Sequence, residues 1–149
     1  MNKEAEFYTL KGYQLNEGGK LTSAMEDYLE MTCRMLKNTD VVRISELAEK
    51  LHVKPSSASK MVSNLKEEGY IEFKKYGYIV ATKEGAKLGK YLLHRHDVLH
   101  NFLCVLNNTD NELEQVEKIE HFISENTIDN LEKLTVILTY EEENFKSRQ

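Results

Sequence analysis

RISELAEKLHVKPSSASKMVSNLKEEGYIEFKKYGYIVAT, residues 43–82, changes its hydrophobic period part-way, and that change decides the fold. Ile44, Leu47, Ala48 and Leu51 recur at helical spacing, and Ala58, Met61, Val62 and Leu65 do so again. Between them, His52-Val53-Lys54-Pro55-Ser56-Ser57 reads as a short turn. Pro55 suits the first turn of the second helix, where its missing N–H costs nothing. Ser45 is the expected cap of the first helix and Gly69 the terminator of the second. From Tyr70 the period drops to two. Tyr70-Ile71-Glu72-Phe73 and Tyr78-Ile79-Val80-Ala81 read as paired strands, with Lys74, Lys75, Tyr76 and Gly77 as the hairpin tip.

Upstream, Met25, Tyr28, Leu29, Thr32, Met35 and Leu36 predict another helix, from Thr22 or Ser23 to near Asn38. Ser23 and Glu26 stand at capping-box spacing. Three helices followed by a hairpin is the order of a winged helix-turn-helix. Residues 1–20 are polar and read as a loose arm, with local order around Phe7-Tyr8-Thr9-Leu10. Downstream, one long helix is expected from about Lys83 to Leu106, with a break at Asn107-Asn108-Thr109. Helices from about Asp110 to Glu125 and from Thr127 or Ile128 to about Tyr140 should follow, and then a frayed, charged tail. The expectation is a mostly α protein: arm 1–20, winged helix-turn-helix with a two-stranded wing 21–82, and an all-α segment 83–149.

The chain has 149 residues, 40% hydrophobic and 30% charged, enough apolar mass for a core. No apolar run approaches the roughly 20 residues of a membrane span, and the N-terminus lacks the basic-then-apolar order of a secretory signal. Cys33 and Cys104 cannot make a disulfide framework, which points to a reducing, cytoplasmic setting; both lie among apolar helical positions. The net charge of −5 is unevenly placed: −2 over residues 1–42, +3 over 43–83 and −6 over 84–149. A basic middle suits nucleic acid, and an acidic end suits cations. In the second helix of the turn pair, Ser56, Ser57, Ser59 and Lys60 are short or basic enough to meet a groove and its phosphates. Lys74, Lys75 and Tyr76 at the hairpin tip suit the adjoining backbone.

Glu117, Glu120 and His121 fall at i, i+3 and i+4, one face of a helix and a half-site for a divalent cation. Leu113, Val116, Ile119 and Ile123 supply the core face of the same helix. Asp27 and Glu30 stand at i, i+3, and His96 and His100 at i, i+4 beside Arg95 and Asp97. No nucleophile with its base, phosphate loop or cofactor motif stands out, so the chain reads as a binder rather than an enzyme.

These residues together resemble the diphtheria toxin repressor family of metal-dependent transcription regulators, in its manganese transport regulator branch. The resemblance covers roughly residues 21–140. It is carried by Met25-Glu26-Asp27-Tyr28-Leu29-Glu30, by Pro55-Ser56-Ser57-Ala58-Ser59-Lys60-Met61-Val62, by Arg95-His96 and by Val116-Glu117-Lys118-Ile119-Glu120-His121. It implies that residues 83–149 form a dimerisation and metal-sensing domain. The implied ligands are Asp27, Glu30, His96, Glu117, Glu120 and His121. Hard carboxylates at Asp27 and Glu117 favour Mn²⁺, with Fe²⁺ or another divalent transition metal as the alternative. His100 stands where relatives usually carry a glutamate, either as an extra ligand or outside the site. The sequence ends before the SH3-like third domain of longer members. The implied function is a homodimeric, Mn²⁺-activated repressor of metal-uptake genes on a palindromic operator. Two alternatives stay open: a metal-independent winged-helix repressor sensing an organic ligand, and a small metalloenzyme using Glu117, Glu120 and His121.

Overall fold

The computed structural model describes residues 9–16 and 21–149. Within the segment expected to be loose, Leu10–Asn16 forms a short helix, α1, whose first turn is held by Thr9 Oγ1 accepting from Gly12 N–H at 3.4 Å. Phe7 and Tyr8, where local order was also expected, lie outside the described residues. α2 spans Ser23–Leu36. Its cap is Thr22, whose hydroxyl accepts from Met25 N–H at 3.2 Å. The expected Ser23–Glu26 capping box is therefore not used, and the Glu26 carboxylate is turned to other partners.

α3 (Ile44–Lys50) and α4 (Pro55–Glu67) form the turn pair. Ser45 does not cap α3: the N-cap position is Arg43, with no side-chain bond. Pro55 opens α4, and Ala58, Val62 and Leu65 are its buried stripe. Gly69, at φ +86°, then lets Tyr70 N–H reach back to Leu65 C=O at 2.9 Å, closing the helix end.

The wing holds more than the expected hairpin. β1 (Val42–Arg43), β2 (Ile71–Phe73) and β3 (Tyr78–Ala81) form an antiparallel sheet ordered β1-β3-β2, with Val42 opposite Ile79 and Glu72 opposite Val80. β1 escaped the sequence reading because two residues carry no period. At the tip, Tyr76 and Gly77 both adopt positive φ, +64° and +75°. Lys74 N–H closes the loop on Tyr78 C=O at 2.7 Å.

α5 runs for 25 residues, Lys83–Asn107, or ~37 Å at the helical rise of about 1.5 Å per residue. Thr82 caps it through Gly85 N–H, and Asn108 ends it in the left-handed conformation. Gly85 lies against the Tyr70 backbone and Gly89 against the Cys33 side chain, where a Cβ would collide. α5 therefore joins two cores. Leu88, Tyr91 and Leu92 complete the core of the winged domain, whereas Val98, Leu99 and Leu103 pack with Val116 and Ile128.

The region after α5 departs from expectation. The single helix expected over 110–125 is α6, Leu113–Ile119, followed by a 3-10 turn at Glu120–Phe122. Leu113, assigned to the core face, is exposed. Ile123 and Ser124 are then extended, and Ser124 caps the next helix, accepting from Thr127 N–H at 3.2 Å. That helix, α7, spans Glu125–Ser147 instead of ending near Tyr140. Its charged end is held by pairs such as Glu142–Lys146 at 3.2 Å. Val136, Ile137, Tyr140 and Phe145 leave an uncovered apolar face on α7. Among the described residues no helix is long and apolar enough to cross a membrane.

Candidate metal centre and DNA-binding face

Asp27 and Glu30 leave α2 from one face, because residues three apart are neighbours on a helix. His96 points from the middle of α5 toward the same space. Glu117 approaches from α6, and Glu120 and His121 from the 3-10 turn that follows it. The last three were expected on one helix face. The tighter turn instead drives Glu120 inward, to 0% exposure.

Two ligand groups result, Asp27–Glu120–His121 and Glu30–His96–Glu120, which share Glu120. In the first, His121 Nε2 lies 2.9 Å from Asp27 Oδ1 and 3.9 Å from Glu120 Oε1. In the second, His96 Nδ1 lies 3.0 Å from Glu120 Oε2, 3.7 Å from Glu30 Oε1 and 3.6 Å from Glu117 Oε1. Glu120 Oε1 is buried and accepts no hydrogen bond. A buried carboxylate oxygen without a partner carries a large desolvation cost. It shares its candidate ligand group with Asp27 and His121, whose Nε2 at 3.9 Å is beyond hydrogen-bond reach, and a cation there would satisfy it. Carboxylate oxygens with imidazole nitrogens suit a divalent transition metal at the hard end of the series.

The electrostatics agree. Burial, together with the Glu120 charge, pushes the Glu30 carboxyl up to about 7. Burial and Glu120 also raise Glu117. The hydrogen bond to Glu120 raises His96. Hydrogen bonds to Asp27 and Glu26 push His121 up to about 10. Without a cation, Glu30 and His121 keep their protons to higher pH than usual, and the imidazolium of His121 is a positive charge within the cluster.

His100 does not join this cluster. Its Nε2 accepts the backbone N–H of Glu112 at 3.2 Å and lies 3.5 Å from Cys104 Sγ. The imidazole thus holds the turn between α5 and α6. The sequence reading missed Glu26, which contacts His121 Nδ1 at 3.0 Å and Arg95 at 3.4 and 3.5 Å. Its i, i+4 relation to Glu30 was the available signal, and the capping-box spacing hid it.

Ser56, Ser57, Ser59 and Lys60 are all exposed on the first turns of α4. Lys74, Lys75 and Tyr76 are exposed at the wing tip, Tyr76 at 90%. Lys74 also pairs with Glu72 at 3.8 Å. Arg43 on β1 stacks over the Tyr78 ring at 5.1 Å and donates to its hydroxyl, adding a cation to the wing that the sequence did not single out.

Residues 20–79 match the family model of the iron dependent repressor N-terminal DNA-binding domain, and residues 82–140 that of its metal-binding and dimerisation domain. The HTH-type transcriptional regulator MntR of Oceanobacillus iheyensis is 40% identical over 111 residues, covering 74% of this chain and 76% of the relative. MntR of Bacillus pumilus is 36% identical over 129 residues, 86% of this chain and 88% of the relative. Among solved structures, the manganese regulator SloR aligns with a TM-score of 0.64 at 28% identity, over 76% of this chain and 54% of that one. IdeR of T. acidophilum aligns with a TM-score of 0.61 at 21% identity, over 75% of this chain and 53% of that one, and supports the fold. The chain thus spans about half the length of these two solved proteins.

Proposed function

We propose, from the premise that this chain belongs to the iron dependent repressor family, that it is a Mn²⁺-activated, DNA-binding transcriptional regulator acting as a homodimeric repressor in the cytoplasm. The observation that carries the reading is Glu120. This fully buried carboxylate with an unpartnered oxygen lies where α2, α5 and the turn after α6 meet. The MntR relatives and the manganese regulator SloR support Mn²⁺ as the cation, and the matched family model supports Fe²⁺ as the alternative.

Asp27, Glu30, His96, Glu117, Glu120 and His121 would hold the metal. A bound divalent cation supplies the positive charge that lets these carboxylates ionise side by side. The chain's own residues do the rest. Asp27 and Glu30 belong to the helix that packs behind the turn pair, so their positions fix where α4 points. Glu120 contributes to both ligand groups and couples the two positions. α4 enters the major groove with Ser56, Ser57, Ser59 and Lys60, while Lys74, Lys75 and Tyr76 meet the neighbouring backbone. Residues 21–82 serve as the reader and 83–149 as the dimerising sensor. The uncovered apolar residues of α7 suit the contact between copies.

A fluorescence-anisotropy titration of palindromic operator DNA, with Mn²⁺ and then with excess EDTA, tests the reading. Binding should tighten by about 5–150-fold with the metal, the usual range of allosteric coupling. Affinity indifferent to both reagents would support a metal-independent repressor instead.

A further inference from the structure

Beside the ligand cluster lies a part-buried pair that supplies no ligand. Arg95, on α5, is 3% exposed. Its Nη1 is 3.4 Å from Glu26 Oε2, and its Nη2 is 3.5 Å from Glu26 Oε1. Both groups converge on one ring nitrogen: His121 Nδ1 lies 3.0 Å from Glu26 Oε1 and 3.3 Å from Arg95 Nη2. The other ring nitrogen, Nε2, faces Asp27 at 2.9 Å and Glu120 at 3.9 Å. A neutral imidazole carries one proton, and its position decides whether Nε2 offers a lone pair to the cluster. With the proton on Nδ1, the ring donates to Glu26 and Nε2 is free to ligate. With the proton on Nε2, the ring donates to Asp27 and the ligand face is closed. A guanidinium only donates, so Arg95 alone would favour that closed form.

We propose that Glu26 is a positioning residue for the metal centre: it holds the proton of His121 on Nδ1, so that Nε2 faces Asp27 and Glu120, while Arg95 anchors Glu26 between α2 and α5. The inference rests on the metal-centre reading above. Ligating histidines commonly donate their second N–H to a carboxylate, which orients the ring and strengthens it as a ligand. Here the carboxylate has an additional task. It accepts from Arg95 Nη1 and competes with Nδ1 for Nη2, the donor that would otherwise select the wrong tautomer. Glu26 and His121 are 95 residues apart in sequence, so the contact also spans the reader and the sensor.

The test uses the intact dimeric protein, with Mn²⁺ and the diamagnetic Cd²⁺ as probes. Calorimetry gives affinity and stoichiometry, and long-range ¹H–¹⁵N spectra of the Cd²⁺-loaded protein give the His121 tautomer. Glu26→Ala should weaken both metals by about 10–100-fold with the wild-type stoichiometry. Glu26→Gln keeps an acceptor without its charge and should fall between; it also carries the test should the alanine variant not fold. Adding Arg95→Met to Glu26→Ala should restore part of the lost affinity, which a merely structural role for the pair would not produce. Metal bound at Nδ1, wild-type affinity in both Glu26 variants, loss of a metal equivalent, or no recovery in the double variant each overturns the proposal. Wild-type affinity and stoichiometry in His121→Ala would instead overturn the metal-centre reading itself.

Discussion

Replacing Glu120 by Gln should stabilise the metal-free protein and remove its response to metal. The side chain is 0% exposed, and Oε1 has no hydrogen-bond partner. Its charge also helps push Glu30 up to about 7. Leaving a buried polar atom unsatisfied costs about 1–3 kcal/mol, more when it is charged. Glutamine keeps the shape, removes the charge and still meets His96 Nδ1, which lies 3.0 Å from Oε2. Relief of about 1–2 kcal/mol is the expected gain, since the new amide is itself imperfectly partnered. At ~2–4 °C per kcal/mol for a chain of this size, the metal-free variant should melt ~2–8 °C above wild type. Mn²⁺ at one hundred times its dissociation constant should stabilise wild type by about 2.7 kcal/mol, or ~5–11 °C, and leave the variant nearly unmoved. Thermal melts in EDTA and in Mn²⁺ should therefore show Glu120→Gln ahead without metal and wild type gaining far more with it. A variant that melts below wild type in EDTA, or gains as much from Mn²⁺, would refute the assignment of Glu120 as a strained, shared ligand.

The metal-free protein should lose stability as pH rises. Glu30 and His121 bind protons more tightly folded than unfolded, so Glu30's contribution fades from about 4.5 to 7 and His121's from about 6.5 to 10. Melts in EDTA that climb over that interval would contradict this. Replacing Lys74 and Lys75 together by Ala should weaken operator and random DNA alike and make the salt dependence shallower by about 2 in log–log slope; an unchanged slope would take the wing off the phosphates. Asp27→Met trades a hard oxygen for a thioether, so DNA binding should shift its metal preference from Mn²⁺ toward Fe²⁺ or Co²⁺. The same order of metals before and after would defeat that selectivity argument.

What the sequence revealed follows the range of the forces involved. The turn pair and the wing strands announce themselves because Ala58, Val62 and Leu65, or Ile71 and Ile79, repeat with a local period and end up buried. Asp27 and Glu30 were legible for the same reason. Val42–Arg43 was not, since its strand exists only through pairing with Tyr78 and Ile79. Leu113 looked like core and is exposed, because it opens α6 instead of lying inside a longer helix. The charged end of α7 looked frayed, yet it is helical to Ser147. Glu26 was read by its nearest neighbours, whereas its partners lie 69 and 95 residues away. Local spacing could bring the ligands onto their helices, but only the packing of α2 on α5 makes them one cluster.

That packing is tightest at Gly89, where the Cys33 side chain leaves no room for a methyl group, while Gly85 sits as closely against the Tyr70 backbone. The seam between α2 and α5 also carries the Arg95–Glu26 pair. Asp27, Glu30 and His96 stand on α2 and α5, and Glu117, Glu120 and His121 on α6 and the turn that follows it. The cluster lies at the middle of α5, a helix of 25 residues, ~37 Å long. A tilt of a few degrees there becomes a displacement of ~1–2 Å at either end. Half-sites about 34 Å apart demand close matching of two recognition helices. A correction too small to notice at the ligands is therefore large enough to bring a dimer into or out of gauge with its DNA.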